Sequence, residues 1–415
     1  MSITTPVSRE VLHRRTLTVV MASQVFSGAG LAAGITVGAL LAEDMLDTTS
    51  LSGLPSALFT AGSAATALLV GRLSQRSGRR AGLTAGYAAG ALGGAGVVLA
   101  ATLDNILLLL LSLLVYGAGS ATNLQARYAG ADLVGPSRRG RAISSVLVGT
   151  TLGAVAGPNL VAPMGTLAEQ WGVPALAGPF ALATLAYGTA GVLIFAFLRP
   201  DPLLASRTLP PEDVTPGSVS ADRGGRRFTG TVAAGAATMV LTQLVMVAVM
   251  TMTPVHMQAH GHDLHATGLV IAIHIGAMYL PSLVTGALTD RYGRVPMAVA
   301  SGVTLLAAGL VSAAAPANAV PLLALALALL GLGWNLGLVS GTAMITDAAP
   351  PQTRAKTQGA VDLCVALAGA GGGIASGMVM AATSYAALSI AGGVLALAVI
   401  PFVVASAARS RGAVS

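Results

Sequence analysis

The sequence predicts an all-α membrane protein of twelve transmembrane helices in two pseudo-symmetric six-helix bundles, on three observations. Charged residues are 9% of the 415 and apolar ones 54%, with a mean hydropathy of +0.78, too few charges to cover a water-facing surface. Charge-free stretches long enough for a bilayer crossing, about 20 residues each, tile the chain. The basic residues, finally, gather in alternate loops.

Single crossings are read at 17–42, 54–70, 82–102, 106–126, 143–168, 175–198, 229–254 and 266–289. The uncharged run 295–346 is too long for one crossing and turns at Pro316, Asn318 and Pro321. The run 363–408 turns near Thr383 and Ser384, which completes twelve.

With the N-terminus placed in the cytoplasm, all 22 Lys and Arg residues fall in inside segments, whereas Glu43, Asp44, Asp47, Asp104, Glu169 and Asp263 collect outside. The net charge of +7 therefore reflects topology in a bacterial inner membrane with both termini cytoplasmic, and not nucleic-acid binding. Cys364 is the only cysteine, so an internal disulfide is excluded, and Arg14–Arg15 reads as an inside anchor ahead of a retained first span. The expected partners are the lipid bilayer and a transported solute, with the protein a monomer.

The one long polar stretch, 199–228, holds Pro200, Pro202, Pro210, Pro211 and Pro216 and reads as an extended cytoplasmic linker between bundles 1–198 and 229–415. The halves echo each other. Gly71, Arg76, Gly78, Asp132 and Arg139 recur as Gly286, Arg291, Gly293, Asp347 and Arg354, each 215 residues on, which points to duplication of a six-helix unit.

Two loops carry this repeat most visibly: GRLSQRSGRR at 71–80 and GALTDRYGRV at 286–295. The first glycine of each lets two helices approach, the second serves a tight turn, and the arginines bond helix ends and carboxylates at the interface. The pattern resembles the loop between helices two and three of the major facilitator superfamily. That resemblance implies alternating access and a gating role for Gly71, Arg76, Gly78, Arg79, Gly286, Asp290, Arg291, Gly293 and Arg294. Gln75 stands where an acid is usual, so an ionic latch is expected only at Asp290. The fifth span holds Gly149, Gly153, Gly157 and Pro158, resembling part of the motif of antiporters in this superfamily, although Leu160 and Val161 depart from it; helix packing is the expected role.

Six of 14 methionines and five of six histidines lie between Met239 and Met278. At 100° per residue Met246 and Met250 are about 40° apart, with Met239 and Met257 in the same stripe, while His274 and Met278 share a face of the eighth span. Pro281 loosens that span one turn later. Thioether sulfur with imidazole is a soft donor set that favours Cu(I), and no carboxylate accompanies it. The MxxxM and HxxxM pairs resemble those of the CcoA-like copper importers, which implies Met246, Met250, His274 and Met278 as copper ligands. His256, Met257, His260, His262 and His265, with Met239, are expected to collect metal from outside.

Asp362 in the eleventh span is a candidate for proton coupling, Asn335 is a second intramembrane polar group, and Arg127 is expected to snorkel to the surface. The expected function is copper import by a secondary carrier, copper being substrate and no cofactor being required. The alternatives are a proton-coupled carrier of a drug or a vitamin such as riboflavin, against which the aromatic content of 4% weighs modestly, and a membrane metal sensor. No phosphate loop and no nucleophile with a base argue for an enzyme.

Overall fold

A computed structural model describes residues 8–46, 54–209, 224–316 and 318–411. Regular structure among them is entirely helical: α1 (Arg9–Leu46), α2 (Leu54–Thr102), α3 (Ile106–Ala131), α4 (Arg139–Gln170), α5 (Gly178–Phe197), α6 (Pro202–Thr208), α7 (Gly224–Ala259), α8 (Leu264–Tyr279), α9 (Ser282–Tyr292), α10 (Arg294–Ala314), α11 (Val320–Ala348), α12 (Arg354–Ala382), α13 (Tyr385–Ala396) and α14 (Val399–Arg411). Nine helical stretches of the described residues are long and apolar enough to cross a membrane, ten when the pair bent by 49° within α4 is counted. One stretch, α2, contains both the second and third expected spans, and α1 covers the first, so the helices follow all twelve. Lipid is the natural solvent for such a chain because each helix satisfies its own backbone.

Sequence explains most of the breaks. Gly78 (φ 90, ψ 166) and Gly293 (φ 96, ψ 168) take the same left-handed, extended conformation, which a side chain disfavours and which reverses the chain between spans. Pro281 has no amide hydrogen to continue the ladder, so α8 stops at Tyr279 and α9 restarts at Ser282. Asn335 takes up the slack: its Nδ2 donates to Met278 O at 2.7 Å and Ser282 Oγ at 2.8 Å, while its Oδ1 accepts from Thr285 Oγ1 at 2.5 Å. Ser384 caps α13 by accepting from Ala387 N at 3.1 Å, at the turn expected from Thr383 and Ser384.

The linker departs from expectation. Residues 202–208 form α6, not an extended segment, because Asp201 accepts from Leu203 N and Leu204 N and Pro202 occupies the first helical turn. At its other end, 224–228 open α7 and are not linker, and 210–223 lie outside the described residues.

Two compact units comprise 1–135, 145–212 and 351–363 in one case, and 136–144, 213–350 and 364–415 in the other. The starts of α12 and α4 are thus exchanged relative to a division at 199–228. The core of the first unit is aromatic: Tyr87 stacks on Tyr187 at 6.1 Å, and Tyr116 meets Tyr187 at 5.7 Å and Phe180 at 5.3 Å. A core cluster of the second joins Ala234, Ala298, Met344, Val399 and Val403, with small residues bringing backbones together elsewhere, as where Gly309 lies against Ser389 O.

Candidate functional site

The two repeated loops build the same device in each unit. In the first, Arg79 Nε donates to Asp132 Oδ2 at 2.8 Å, Arg354 lies 3.8 Å from Asp132, and Arg79 Nη2 also donates to Gln358. In the second, Arg294 Nε donates to Asp347 Oδ2 at 2.7 Å and Arg139 Nη1 to Asp347 Oδ1 at 2.5 Å. Each partner differs by 215 residues from its counterpart.

Helix starts are capped with the same symmetry. The Asp290 carboxylate accepts from Gly140 N at 2.8 Å and Arg141 N at 2.9 Å at the start of α4. Gln75 Oε1 accepts from Ala355 N at 2.8 Å and Lys356 N at 3.3 Å at the start of α12. The missing acid at position 75 is therefore replaced and not lost: an amide oxygen fills the same acceptor role. Its nitrogen adds bonds a carboxylate cannot make, to Gln352 O at 2.6 Å and Pro351 O at 3.1 Å. A Cβ at Gly71 would lie 2.7 Å from Gly359 Cα, so the first glycine of the loop serves close helix approach. Of the paired loop arginines, Arg79 is buried and Arg294 largely so; Arg76 and Arg291 are exposed, the latter over the Tyr292 ring at 5.3 Å.

The ion pair between Arg127 and Asp362 has no counterpart in the second unit. Arg127 Nη2 donates to Asp362 Oδ1 at 2.7 Å, and Tyr128 OH donates to the same oxygen at 3.1 Å. Arg127 is 0% exposed and Asp362 3%, which corrects the expectation that Arg127 snorkels to the surface. The guanidinium lies over the Tyr128 ring at 4.2 Å, so an aromatic face and a carboxylate replace the water it would otherwise seek. Asp362 Oδ2 is buried and makes no hydrogen bond. Positions 215 residues away are Thr342 and Leu147, which cannot form such a pair.

Members of the methionine and histidine sets pack against α11. Met239, Met246 and Met257 are buried on α7 and Met250 is half-buried; Met239 Sδ accepts from Thr342 Oγ1 at 3.9 Å and its side chain lies against Gly341. On α8, the 0% exposed His274 places Nδ1 2.8 Å from Leu327 O, and the backbone around Met278 packs on Gly331. His274 Nε2 is buried without a hydrogen-bond partner. Met239 on α7 and His274 on α8 thus both meet α11. Among the described residues no group of three or more His, Cys, Asp or Glu could hold a metal ion.

Of the expected entry residues, His256 and His260 come together with ring centroids 4.4 Å apart. His256 also stacks on Tyr385 at 4.3 Å, and His260 Nδ1 lies 2.7 Å from His256 O, which occupies one of its ring nitrogens. Met257 is buried in α7, His262 half-buried, and His265 exposed. In α4, a Cβ at Gly149 would lie 2.9 Å from Met21 O and one at Gly153 2.6 Å from Ala29 N, so both glycines seat α4 on α1. Gly157 is buried; the Pro158 side chain is outside the described residues.

Two polar groupings escaped the sequence reading. In the first unit Gln24 Oε1 accepts from Tyr87 OH at 2.6 Å and Ser27 Oγ at 3.1 Å, while its Nε2 donates to Thr150 Oγ1 at 2.8 Å and Asn123 O at 3.0 Å. In the second, Trp334 Nε1 donates to Gln243 Oε1 at 2.7 Å, and Tyr279 meets the indole edge-on at 5.8 Å. A lone amide inside an apolar span was the available signal, since its burial is costly without partners.

Helical architecture and duplicated loop locks define a multi-pass membrane transporter. Residues 18–279 and again 235–413 match the profile of the Major Facilitator Superfamily, and the chain belongs to that superfamily. It is 58% identical over 410 residues to the uncharacterized MFS-type transporter YdeG of Bacillus subtilis (strain 168), covering 98% of this chain and 95% of that one. It is 29% identical over 352 residues to the riboflavin transporter RfnT of Brucella anthropi, covering 84% and 85%. Among solved structures, the human organic anion transporter MFSD10 shares the fold with a TM-score of 0.75 at 18% identity, over 94% of this chain and 99% of that one.

Proposed function

We propose that the protein is a proton-coupled carrier of a small organic molecule across the cytoplasmic membrane, with its basic end inside. The observation that carries this reading is Asp362, a carboxylate buried in a span with Oδ1 held by Arg127 and Tyr128 and Oδ2 free to take a proton. An intramembrane acid is costly to keep and has its use in proton relays. Protonation removes the charge that holds Arg127, so a proton and the closure of the bundle around this pair are linked. Likeness to a riboflavin transporter supports an organic cargo. Low aromatic content does not oppose it, because Tyr87, Tyr116, Tyr187 and Phe180 are concentrated in the first unit's core and Tyr279 and Trp334 adjoin in the second.

The test is uptake of radiolabelled riboflavin under an imposed inward proton gradient, in cells with and without the protein. Asp362→Asn should abolish gradient-driven accumulation and leave solute exchange running. Accumulation by the variant equal to that of the parent would reject the coupling role.

Copper import remains the second reading, favoured by one observation: the unpartnered His274 Nε2, buried on the face it shares with Met278. Copper-64 uptake that falls in normally expressed Met246→Leu, Met250→Leu and His274→Gln variants would move this reading ahead.

A further inference from the structure

Just past the Gly78 turn of α2 and at the end of α5, two arginines meet one phenyl ring. Arg80 Cζ lies 4.5 Å and Arg199 Cζ 5.8 Å from the centre of the Phe195 ring. Arg80 Nε donates to Phe195 O at 2.7 Å, satisfying one of the carbonyls that the end of α5 leaves open and fixing the guanidinium there. Among the described residues the other side-chain donors of Arg80, and all those of Arg199, have no acceptor.

Two like charges are therefore held at one ring without a carboxylate between them. The neighbouring acid, Asp201, has its oxygens taken by backbone: Arg80 N at 2.7 Å, Leu203 N at 3.0 Å and Leu204 N at 3.1 Å. The face of a phenyl ring attracts a cation but does not neutralise it. The complement to such a pair is an oxyanion, which guanidinium forks bind through paired N–H donors. Nor is Arg80 needed by the loop lock, since Val295 holds the same place in the second copy.

The setting identifies what carries the oxyanion. Leu185, Val192, Phe195 and Phe197 of α5 are all exposed, within a stretch apolar enough to cross a membrane. The first three follow one strip of the helix. At 1.5 Å per residue that strip is about 15 Å long, half of a hydrocarbon core about 30 Å thick. An apolar track with the depth of one leaflet thus ends beside two guanidinium groups. A soluble phosphate has no use for such a track, whereas a phospholipid fits both parts.

We propose that Arg80 and Arg199, gathered on Phe195, bind the phosphate of an anionic phospholipid whose acyl chains lie along the α5 strip. The site lies wholly in the first unit and is independent of the cargo.

Native mass spectrometry of the purified protein, titrated with phosphatidylglycerol or with phosphatidylcholine of the same chain length, reads bound lipid directly. The parent should bind one phosphatidylglycerol at least about tenfold more tightly than phosphatidylcholine, the scale of one charge-assisted hydrogen bond. Arg199→Glu reverses an exposed charge that has no hydrogen bond to lose, so the fold should survive and the preference should vanish. Phe195→Leu keeps the strip apolar but removes the ring that gathers the cations, and should weaken the preference. Arg15→Gln combined with Arg72→Gln removes two exposed charges that do not touch Phe195 and should leave it intact. Melting temperature and monodisperse elution without lipid report the fold in each case. Equal affinity of the parent for the two lipids overturns the site, as does a preference retained in folded Arg199→Glu. A loss in the Arg15–Arg72 variant as large as in Arg199→Glu would also overturn it, by showing a diffuse basic surface. Outright displacement of the lipid by millimolar inorganic phosphate would do the same, by showing that the strip contributes nothing.

Discussion

At the scale of single residues, the Arg127–Asp362 pair shows how one contact changes a side chain's meaning. An arginine near a span end has a long stem and commonly reaches water, so sequence alone favoured the surface. The deciding facts are the rotation of α3 and the approach of α12, neither of which has a local signature. Gln243 was overlooked for a related reason: a lone amide has no periodicity, and its partner Trp334 lies 91 residues away. By contrast the i, i+4 relation of His274 and Met278 was legible, because helical spacing by itself sets a shared face. Removing Arg127 should be far worse than removing the pair. Arg127→Leu strands a buried carboxylate, at a cost of roughly 3–5 kcal/mol, whereas Arg127→Leu combined with Asp362→Leu replaces ions by apolar bulk and should recover much of that. Thermal melting in detergent would show the ranking, and a double variant less stable than the single one would contradict it.

Element boundaries follow backbone chemistry, which is why most were readable. Gly78, Pro281 and Gly293 break helices for reasons that depend on the residue itself, and the common offset of 215 residues between the loops predicts one design used twice. The linker was misread because prolines were taken as marks of extended chain, although Asp201 followed by Pro202 is a helix start. The two loop glycines differ in surroundings despite matching backbones. A Cβ at Gly78 would collide with the Asp201 carboxylate that also accepts from Arg80 N at 2.7 Å, whereas one at Gly293 meets only Pro296 Cδ at 3.9 Å. Alanine at either site carries the left-handed penalty of about 1–2 kcal/mol, and Gly78→Ala should add displacement of Asp201 and loosening of α6. The expected order of melting temperatures is therefore parent, Gly293→Ala, Gly78→Ala, with uptake rates in the same order. Equal losses would show that Asp201 plays no part in holding this loop.

On the scale of the whole molecule, the duplicated locks and the unduplicated ion pair have separate origins in sequence. The locks recur because the unit was copied, whereas Thr342 and Leu147 occupy the positions where a second Arg–Asp pair would stand. Which end of the bundle these features face depends on the segregation of basic residues, a rule about insertion and not about packing. Asp104 and Thr208 make this testable, since both are exposed, the first in the acidic loop between α2 and α3 and the second at the end of α6 on the arginine-bearing side. The sole cysteine, Cys364, is exposed and has to be replaced by serine first. In that background a membrane-impermeant maleimide applied to intact cells should label Asp104→Cys and spare Thr208→Cys until the membrane is opened. Labelling of Thr208→Cys from outside would invert the topology. The Arg127–Asp362 pair would then lie towards the outer face, and a proton entering from outside would reach Asp362 without crossing the bilayer midplane.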